Sequence, residues 1–262
     1  MKMLSKITPV ILTYNEVPNI CRTLEMLDWA TDIVIVDSFS TDGTVKLIKN
    51  YPQVRLFQRV FDTHANQWNF AINETGVKTE WVLALDADYV LTGEFVKELD
   101  DMELNSGTEA YKVNFRYCVW GETLSGTLYP PVTALYKRGK ASYVQDGHTQ
   151  RVQIDGNIGF FQAVILHDDR KPLSSWLQAQ DKYMRLEAAL LCNKKWSELR
   201  TADKLRKLIF VAPVVTFFYC LFVKRGFFDG RAGLYYAIQR TVAEAILSLC
   251  LLELRAIKKK ED

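Results

Sequence analysis

The sequence lacks the cysteine spacing of a disulfide framework or a zinc site. Its five cysteines are odd in number, far apart along the chain, and free of any CxxC pair. We therefore expect reduced thiols in a cytosolic protein. The amino-terminal stretch MKMLSKITPVILTYNE holds only a short apolar run, so neither a signal peptide nor an early membrane span is expected.

Glycine-rich phosphate loops are also missing from the sequence. Neither a GxGxxG nor a GxxxxGK[ST] pattern follows the first predicted strand, where the sequence reads ILTYNE. A nucleotide bound by this chain would therefore have its phosphate charge neutralised by a metal ion rather than by the amino end of a helix. Internal repeats and low-complexity linkers are absent as well.

The charge is distributed unevenly. The formal net charge is only +2, but residues 1–193 carry 19 Lys and Arg against 24 Asp and Glu, whereas residues 194–262 carry 14 against 7. The basic tail favours an anionic partner such as lipid headgroups or nucleic acid. At 262 residues and 48% hydrophobic content, the chain can bury a sizeable core and is not a disordered polymer.

Strand-like and helical patterns alternate through the first hundred residues. The order βαβαβαβ predicts an α/β fold with a mostly parallel sheet. Strands then follow from about Glu109 without intervening helices, which predicts an antiparallel or mixed second half of the sheet. From Ser174 onward the periodicity is helical. We predict a catalytic domain over residues 1–173 and a helical region over residues 174–262.

Carboxylates stand where two of the predicted strands end. Asp37 follows IVIV, and Asp86 and Asp88 follow the buried run WVLAL. Ligands of open α/β sheets bind at the carboxyl ends of the strands, so the three side chains are expected to share one crevice. Asp86 and Asp88 suit a hard divalent cation that bridges substrate phosphates. The alternative is a pair of turn or helix-cap aspartates.

The segments PVILTYNE, IVIVDSFSTDGT and LALDAD occur in this order at separations that resemble the family 2 glycosyltransferases, which have the GT-A fold. The later segments LYKR, GHTQ, ILH and FVKRGFFDGRAGL resemble the bacterial branch that includes lipopolysaccharide inner-core glycosyltransferases. The resemblance covers nearly the whole chain. It implies a Rossmann-like mixed sheet and transfer of a sugar from a nucleotide sugar.

The resemblance also implies roles for single residues. Asp86 and Asp88 correspond to the DxD that binds Mg²⁺ or Mn²⁺ and the diphosphate, and His167 to a family histidine that could be a further metal ligand. A satisfied core histidine is the alternative for His167, and a helical surface pair is the alternative for Gln67 and Asn69. The implied nucleotide-sugar site consists of Thr13, Asn15, Glu16, Asp37, Gln67, Asn69 and Asp86.

The catalytic base is less directly indicated. An inverting transfer needs a carboxylate that takes the proton of the acceptor hydroxyl. Many relatives place a glutamate directly after the histidine that corresponds to His148, but this chain has Thr149 there. Asp146, in the same QDGHTQ loop, becomes the candidate base by elimination, with a simple turn role as the alternative. His148 could orient the loop or the sugar, and Asp168 and Asp169 are the next carboxylates to consider.

The tail contains apolar segments that need a cover. Leu208–Val223 is apolar for 16 residues but includes Pro213 and is shorter than the roughly 20 residues that span a bilayer. A helix over residues 231–257 would gather its polar side chains, among them Arg240, Glu244 and Ser248, on one narrow stripe. We expect peripheral attachment to the cytoplasmic face of the inner membrane through anionic lipids. Packing on the catalytic domain or on a second subunit is the alternative.

The leading interpretation is an inverting, metal-dependent glycosyltransferase that uses a nucleotide sugar, a UDP-hexose by expectation, on a lipid-linked or lipopolysaccharide acceptor. Nucleic acid is not expected as a partner. A sugar nucleotidyltransferase is the first competitor, but such enzymes open with a glycine-rich basic loop that this chain lacks. A non-catalytic membrane-associated scaffold is the second, favoured by the missing glutamate after His148.

Overall fold

The computed structural model describes residues 3–102, 107–146 and 149–261. The chain divides into two compact units, one formed by residues 1–121 and 129–170 and the other by residues 122–128 and 171–262. The strands are β1 (Ile7–Thr13), β2 (Ile33–Asp37), β3 (Val54–Gln58), β4 (Trp81–Asp86), β5 (Tyr89–Leu91), β6 (Thr108–Val119), β7 (Glu122–Thr123), β8 (Val132–Lys137), β9 (Ala141–Asp146), β10 (Thr149–Ile154) and β11 (Asn157–His167).

Helices alternate with the first strands and then make up the end of the chain. The helices of the first unit are α1 (Ile20–Glu25), α2 (Thr44–Ile48), α3 (His64–Asn73) and α4 (Gly93–Asp100). Those of the second unit are α5 (Leu173–Asn193), α6 (Thr201–Lys207), α7 (Val211–Phe218) and α8 (Gly230–Glu261). The predicted α/β class with a helical C-terminal extension is confirmed.

The main sheet of the first unit is mixed. Its strands follow the order β3-β2-β1-β4-β8-β6-β11-β5 in the described part of the chain. β1 pairs in parallel with β2 and β4, and β2 with β3, whereas β8 is antiparallel to both β4 and β6. The predicted GT-A-type arrangement of a parallel first half and a mixed second half is therefore confirmed.

The core lies on both faces of this sheet. Successive residues of β2 alternate between two apolar clusters, with Ile33 and Ile35 in one and Val34 and Val36 in the other. All four side chains are fully buried. Because both faces are covered, the inner strands are continuous apolar runs rather than alternating ones, which is the pattern typical of parallel sheets.

β9 and β10 form a separate two-stranded antiparallel sheet. The segment TQRVQI has a strand pattern in the sequence and corresponds to β10, whereas no strand was predicted over β9. Asn69 of α3 binds the backbone of Tyr143 in β9 on both sides, through Nδ2 to the carbonyl oxygen at 2.8 Å and through Oδ1 from the amide at 2.9 Å. The side chain of Asn69 therefore holds the strand that leads to Asp146.

In the second unit, α8 packs against α5 and α7. The polar stripe predicted for this helix faces the protein rather than the solvent. Glu244 accepts a hydrogen bond from Arg206 Nη2 at 2.8 Å, and Ser248 Oγ donates to the carbonyl oxygen of Ile209 at 2.8 Å. Leu234 and Ile238, by contrast, are exposed on the same helix.

Within the described residues, no individual helix has both the length and the apolar character that a membrane crossing requires. Two consecutive stretches, Val211–Val223 and Gly226–Lys258, meet these requirements only when they are taken together, and the chain bends by 74° between them. The first stretch continues α7 through a π-helical turn, Tyr219–Val223.

Candidate active site

The carboxyl ends of β1, β2 and β4 lie side by side at one edge of the main sheet. Thr13 at the end of β1 is paired in register with Asp37 at the end of β2. On the other side of β1, Leu12 is paired with Asp86 at the end of β4. The strand-end carboxylates therefore stand on the two strands that flank β1, at the edge where an open α/β sheet binds its ligand.

Asp37 is fully buried and accepts hydrogen bonds on both carboxylate oxygens. Oδ2 accepts from Thr13 Oγ1 at 3.0 Å and from Ser40 Oγ at 2.5 Å. Oδ1 accepts from the Ser40 amide at 2.9 Å and from Gln58 Nε2 at 3.3 Å. Asp37 thereby fixes the loop after β2 against the end of β1. The longest bond, from Gln58, is the one that a ligand would replace at the smallest cost.

The loop after β1 is hydrogen-bonded to the loop after β2. Asn15 has a left-handed backbone conformation with φ of 54°, which asparagine tolerates better than most residues. Its amide donates to Ser40 Oγ at 2.8 Å. The amide of Glu16 donates to Thr44 Oγ1 at 2.7 Å, and its carboxylate accepts from Asn19 Nδ2 at 2.8 Å. Asn15 and Glu16 therefore give this part of the edge a defined shape.

Gln67 and Asn69 lie on α3 and have different surroundings. Gln67 is buried near the ends of β2 and β3, where its Nε2 donates to Ser38 Oγ at 3.1 Å and its Oε1 accepts from Arg59 Nη1 at 2.7 Å. The carboxamide of Asn69 is instead bound to the backbone of Tyr143. The structure thus brings Gln67 to the predicted site and gives Asn69 a role in positioning β9.

Asp86 is the last residue of β4, whereas Asp88 lies in the turn that leads to β5. The two carboxylates are therefore presented by a strand end followed by a turn, not by one continuous strand. β11 pairs with β5 so that His167 stands opposite Tyr89. This pairing places His167 Nε2 at 3.0 Å from Asp88 Oδ2, with the imidazole N–H donating to the carboxylate.

His167 is surrounded by aromatic rings. Its ring centroid lies 5.3 Å from that of Tyr89, 4.7 Å from Tyr117 and 4.9 Å from Tyr129. The hydroxyl oxygens of Tyr89 and Tyr129 are 2.5 Å apart. Burial raises the pKa of both phenols, so that they stay protonated and act as hydrogen-bonding groups.

The charge state of His167 depends on two opposing effects. Burial lowers the pKa of the imidazole, and the Asp88 carboxylate raises it. The negative charges of Asp88, Asp86 and Asp169 together outweigh the effect of burial, so the pKa of His167 is raised above its ordinary value. The Nδ1 atom of the same ring is buried and has no hydrogen-bond partner among the residues that the structure describes.

The residues after β11 are tied to the start of α1. Asp168 is buried and its Oδ2 pairs with Arg22 Nη1 and, at 2.8 Å, with Arg170 Nη2. Asn19 Nδ2 donates to Asp169 Oδ1 at 2.9 Å, and Asn19 Oδ1 accepts from the Arg170 amide at 2.9 Å. The carboxylate of Asp168 is thus balanced by two guanidinium groups.

The loop proposed to carry the base is only partly described. Asp146 is the last residue of β9, and the two hydrogen bonds between Asn69 and Tyr143 hold that strand in position. The side chain of Asp146 and all of His148 lie outside the described residues. Their predicted catalytic roles stay predictions.

A model of glycosyl transferase family 2 matches residues 8–167, which is more than half of the chain. The chain belongs to glycosyl transferase family 2. It is 26% identical over 264 residues to the lipopolysaccharide core biosynthesis glycosyltransferase LpsC of Rhizobium meliloti (strain 1021), with 96% of this chain and 94% of LpsC covered.

Two further proteins are similar to this glycosyltransferase over shorter or weaker matches. The SPbeta prophage-derived glycosyltransferase SunS of Bacillus subtilis (strain 168) is 24% identical over 219 residues, which is 76% of this chain and 50% of SunS. The structure of S. aureus TarS 1–349 in complex with UDP has a TM-score of 0.46 and 16% identity, with 96% of this chain and 91% of the TarS 1–349 chain covered.

The carboxylates at and after the end of β4 are the groups of this glycosyltransferase that would hold a divalent cation. The described residues contain no group of three or more His, Cys, Asp or Glu side chains arranged to hold a metal ion. Mg²⁺ at phosphate sites, however, takes one or two carboxylates and completes its shell with phosphate oxygens and water. Asp86 and Asp88 would supply two such carboxylates, and the hydrogen bond from His167 holds the second in one orientation.

Arg59 lies at the same edge of the glycosyltransferase and was not among the predicted site residues. Arg59 follows β3, and its Nη1 donates to Gln67 Oε1 at 2.7 Å and to Asp62 Oδ1 at 2.8 Å. The guanidinium is also bonded through Nη2 to Asp62 Oδ2 at 2.9 Å, so the pair of hydrogen bonds to Asp62 holds it at this edge. Its position directly after a third parallel strand is the signal that could have identified it, because all these strands end at one edge.

Proposed function

We propose that this family 2 glycosyltransferase transfers a sugar from a nucleotide sugar, a UDP-hexose, to a lipopolysaccharide or other lipid-linked acceptor, with inversion at the anomeric carbon. The observation that carries the proposal is the grouping of Asp86, Asp88 and His167 at the end of β4. This group lies on the same sheet edge as the closed loops after β1 and β2.

The chemistry assigns a separate task to each part of the edge. The loops held by Asp37 and Glu16 receive the nucleoside, and Asp86 and Asp88 would hold Mg²⁺ or Mn²⁺. When bound there, such a cation would supply positive charge for the departing diphosphate. Asp146 takes the proton of the acceptor hydroxyl as that oxygen attacks the anomeric carbon. His167 keeps the Asp88 carboxylate in one orientation through the 3.0 Å hydrogen bond.

The acceptor class is supported by the relative that matches along almost the entire chain. LpsC is named as a lipopolysaccharide core biosynthesis glycosyltransferase, and 96% of this chain aligns with 94% of it. Because the match includes the helical second unit as well as the sheet, we propose a lipopolysaccharide core oligosaccharide as the acceptor. The identity of the sugar acceptor residue depends on the shape of the site.

A panel of nucleotide sugars tests the donor and the cation together. The intact protein is heated with each donor in the presence of Mn²⁺ or a chelator, and the midpoint of unfolding is measured. A donor that binds only the folded protein raises this midpoint. We expect UDP-hexoses to do so only with metal, and the same donors to release UDP when core lipopolysaccharide is added.

Three results would contradict parts of the proposal. A GDP-, CMP- or dTDP-sugar that stabilises the protein in place of UDP-hexoses would overturn the donor. Stabilisation and turnover that are unchanged by chelation would overturn the metal. Donor binding without transfer to core lipopolysaccharide, but with transfer to another lipid-linked sugar, would replace the acceptor.

A further inference from the structure

The second unit exposes a row of large apolar side chains on α7 and the π-helical turn that follows it. From residue 208 to residue 223 the sequence contains no charged side chain. The buried side of this stretch includes Ala212 and Cys220, so the helix is apolar on both sides. The exposed residues recur at helical spacing and form what we call the α7 face: Val211, Val214, Val215, Phe218 and Phe222.

The corner that follows the α7 face presents two more aromatic side chains to the solvent. Phe227 is 67% exposed and Phe228 is 80% exposed, although both belong to an ordered turn, Gly226–Asp229. Water is an unfavourable environment for apolar side chains of this size, and the free energy falls when each of them enters an apolar phase. We call Phe227 and Phe228 the phenylalanine corner.

The phenylalanine corner is built by close backbone contact. A Cβ atom on Gly233 would lie 1.9 Å from the carbonyl oxygen of Gly226, so neither chain segment could approach the other with a side chain between them. Arg225 has a positive φ of 61°, which turns the chain sharply before Gly226. The exposure of the two phenylalanines is therefore imposed by tight packing of the turn beneath them.

Basic side chains border these apolar residues. Lys224 and Arg225 directly precede the turn, and the exposed Arg231 follows it. The acidic residue of this segment, Asp229, accepts hydrogen bonds from Ser125, at 2.9 Å from the amide and at 2.5 Å from the hydroxyl. Its charge is thus engaged within the protein, and the rim of the apolar surface is positive.

We propose that the α7 face and the phenylalanine corner dock on the surface of an anionic lipid bilayer. A row of aliphatic and aromatic side chains without polar partners matches the acyl region, whereas a protein interface of this size would carry about one hydrogen bond per 100–200 Å². The basic rim matches anionic headgroups. The 74° bend after Val223 favours docking in one leaflet over a straight crossing.

Vesicle flotation tests this surface without any assay of sugar transfer, so it can fail independently of the proposed function. The intact protein is mixed with vesicles of equal parts phosphatidylglycerol and phosphatidylcholine, or of phosphatidylcholine alone. We expect it to float with the anionic vesicles. Phe228→Ser should lower the partition coefficient about tenfold, because the apolar area that it removes no longer leaves water. Arg225→Gln should lower it about fivefold, and only with anionic vesicles.

A matched control comes from the first unit. Phe160 is 57% exposed on β11, and Phe160→Ser removes the same kind of side chain from a surface outside the proposal. This variant should float like the parent protein. Thermal unfolding of all variants checks that they fold, and Phe222→Ser provides a second substitution on the α7 face should Phe228→Ser not fold.

Several outcomes would overturn the proposal. They are a parent protein that stays unbound with both vesicles, one that floats equally well with neutral vesicles, and a Phe228→Ser variant that binds as tightly as Phe160→Ser. A parent protein that is dimeric without lipid, and that Phe228→Ser converts to a monomer that still floats, would assign the surface to a second copy of the chain. Sedimentation velocity measures that state.

Discussion

The two units of this glycosyltransferase place their apolar and charged side chains in opposite ways. In the first unit the apolar residues fill both faces of a sheet, and the carboxylates that end β2 and β4 stand at one edge of it. In the second unit Arg206 and Glu244 form an ion pair against the core side of α8, while Phe218, Phe222 and Phe228 are more than half exposed. A soluble protein seldom leaves so many large apolar residues in water.

This difference indicates that each unit is shaped by its partner. Under the proposed function the first unit binds a nucleotide sugar, for which the strand-end carboxylates and the hydrogen-bonded loops after β1 and β2 are suited. Under the proposed membrane docking the second unit meets an apolar phase, and the polar stripe of α8 is bonded to other residues of the unit. Substitutions in one unit should therefore alter a property that substitutions in the other leave unchanged.

The largest effect is expected from Asp88→Asn. The substitution removes one carboxylate from the group at the end of β4 and leaves His167 facing a neutral amide. Sugar transfer should fall by about 10²–10³-fold, the scale for removing one preorganised electrostatic group, whereas flotation on anionic vesicles should be unchanged. Transfer and donor binding are measured at saturating Mn²⁺. Asp101→Asn, which alters an exposed carboxylate at the end of α4, is the control.

The next effect is expected from Asp146→Asn. If Asp146 is the base, transfer should fall by about 10²-fold or more while the donor still raises the unfolding midpoint. Single-turnover measurement of transfer with bound donor separates the two properties. Near-normal transfer would move the role to another carboxylate. Asp168 and Asp169 would be tested next, with the caution that Asp168 is already paired with Arg22 and Arg170.

A stability effect confined to the second unit is expected from Glu244→Ala. The substitution leaves Arg206 with more distant partners, Asp203 at 3.5 Å and Glu187 at 3.7 Å. Because the Arg206 side chain is 32% exposed, we expect a loss of about 2 kcal/mol rather than the ~3–5 kcal/mol of a fully buried pair. Hydrogen exchange should show faster opening of α6 and α8 with unchanged protection of β1 and β2. Equal loss of protection in both would contradict the separation of the units.

The smallest effect concerns an ion pair at the opposite edge of the first unit. Asp32 directly precedes β2, and the hydrogen bond from Arg55 lowers the pKa of its carboxyl group. The folded pKa is below the unfolded value of about 3.9, so this stabilisation is present above roughly pH 4 and is lost as the pH falls through the folded pKa. Both side chains are about one third exposed, and we expect less than ~1 kcal/mol.

Urea unfolding of Asp32→Asn at pH 7 and below pH 4 measures this contribution. The variant should be slightly less stable than the parent at pH 7, and the gap should close as the pH falls. Asp155→Asn is the control, because the Asp155 side chain, which pairs with Lys140, is 86% exposed. This variant should be as stable as the parent at either pH. A difference in stability between parent and variant that grows as the pH falls would contradict a lowered pKa of Asp32 in the folded protein.

Much of the first unit could be predicted because its signals are local. Continuous apolar runs that end in carboxylates marked β2 and β4, and their order indicated a parallel sheet whose ends coincide. The three-residue strand β5 was missed because it has too few residues to show a period, and the helix α4 that follows it was not predicted either. Without β5, the sequence could not show that His167 is brought beside Asp88.

The contacts that were not predictable join residues far apart in the sequence. Arg22 pairs with Asp168 across 146 positions, and Arg206 with Glu244 across 38. Helical spacing identified the polar stripe of α8, but it could not tell which side of the helix would face Arg206. If the polar stripe faces the protein, the solvent-exposed side of the helix is apolar. The direction of the stripe depends on how the helices of the unit pack.

The contact between Asn69 and β9 has a consequence for how this protein behaves in concentrated solution. A strand at the edge of a two-stranded sheet offers free backbone groups to any neighbouring chain, and such edges are sites of aggregation. The carboxamide of Asn69 occupies the amide and the carbonyl of Tyr143, as one peptide group of a third strand would. A single side chain thereby ends the small sheet and closes part of its outer edge to strands from other molecules.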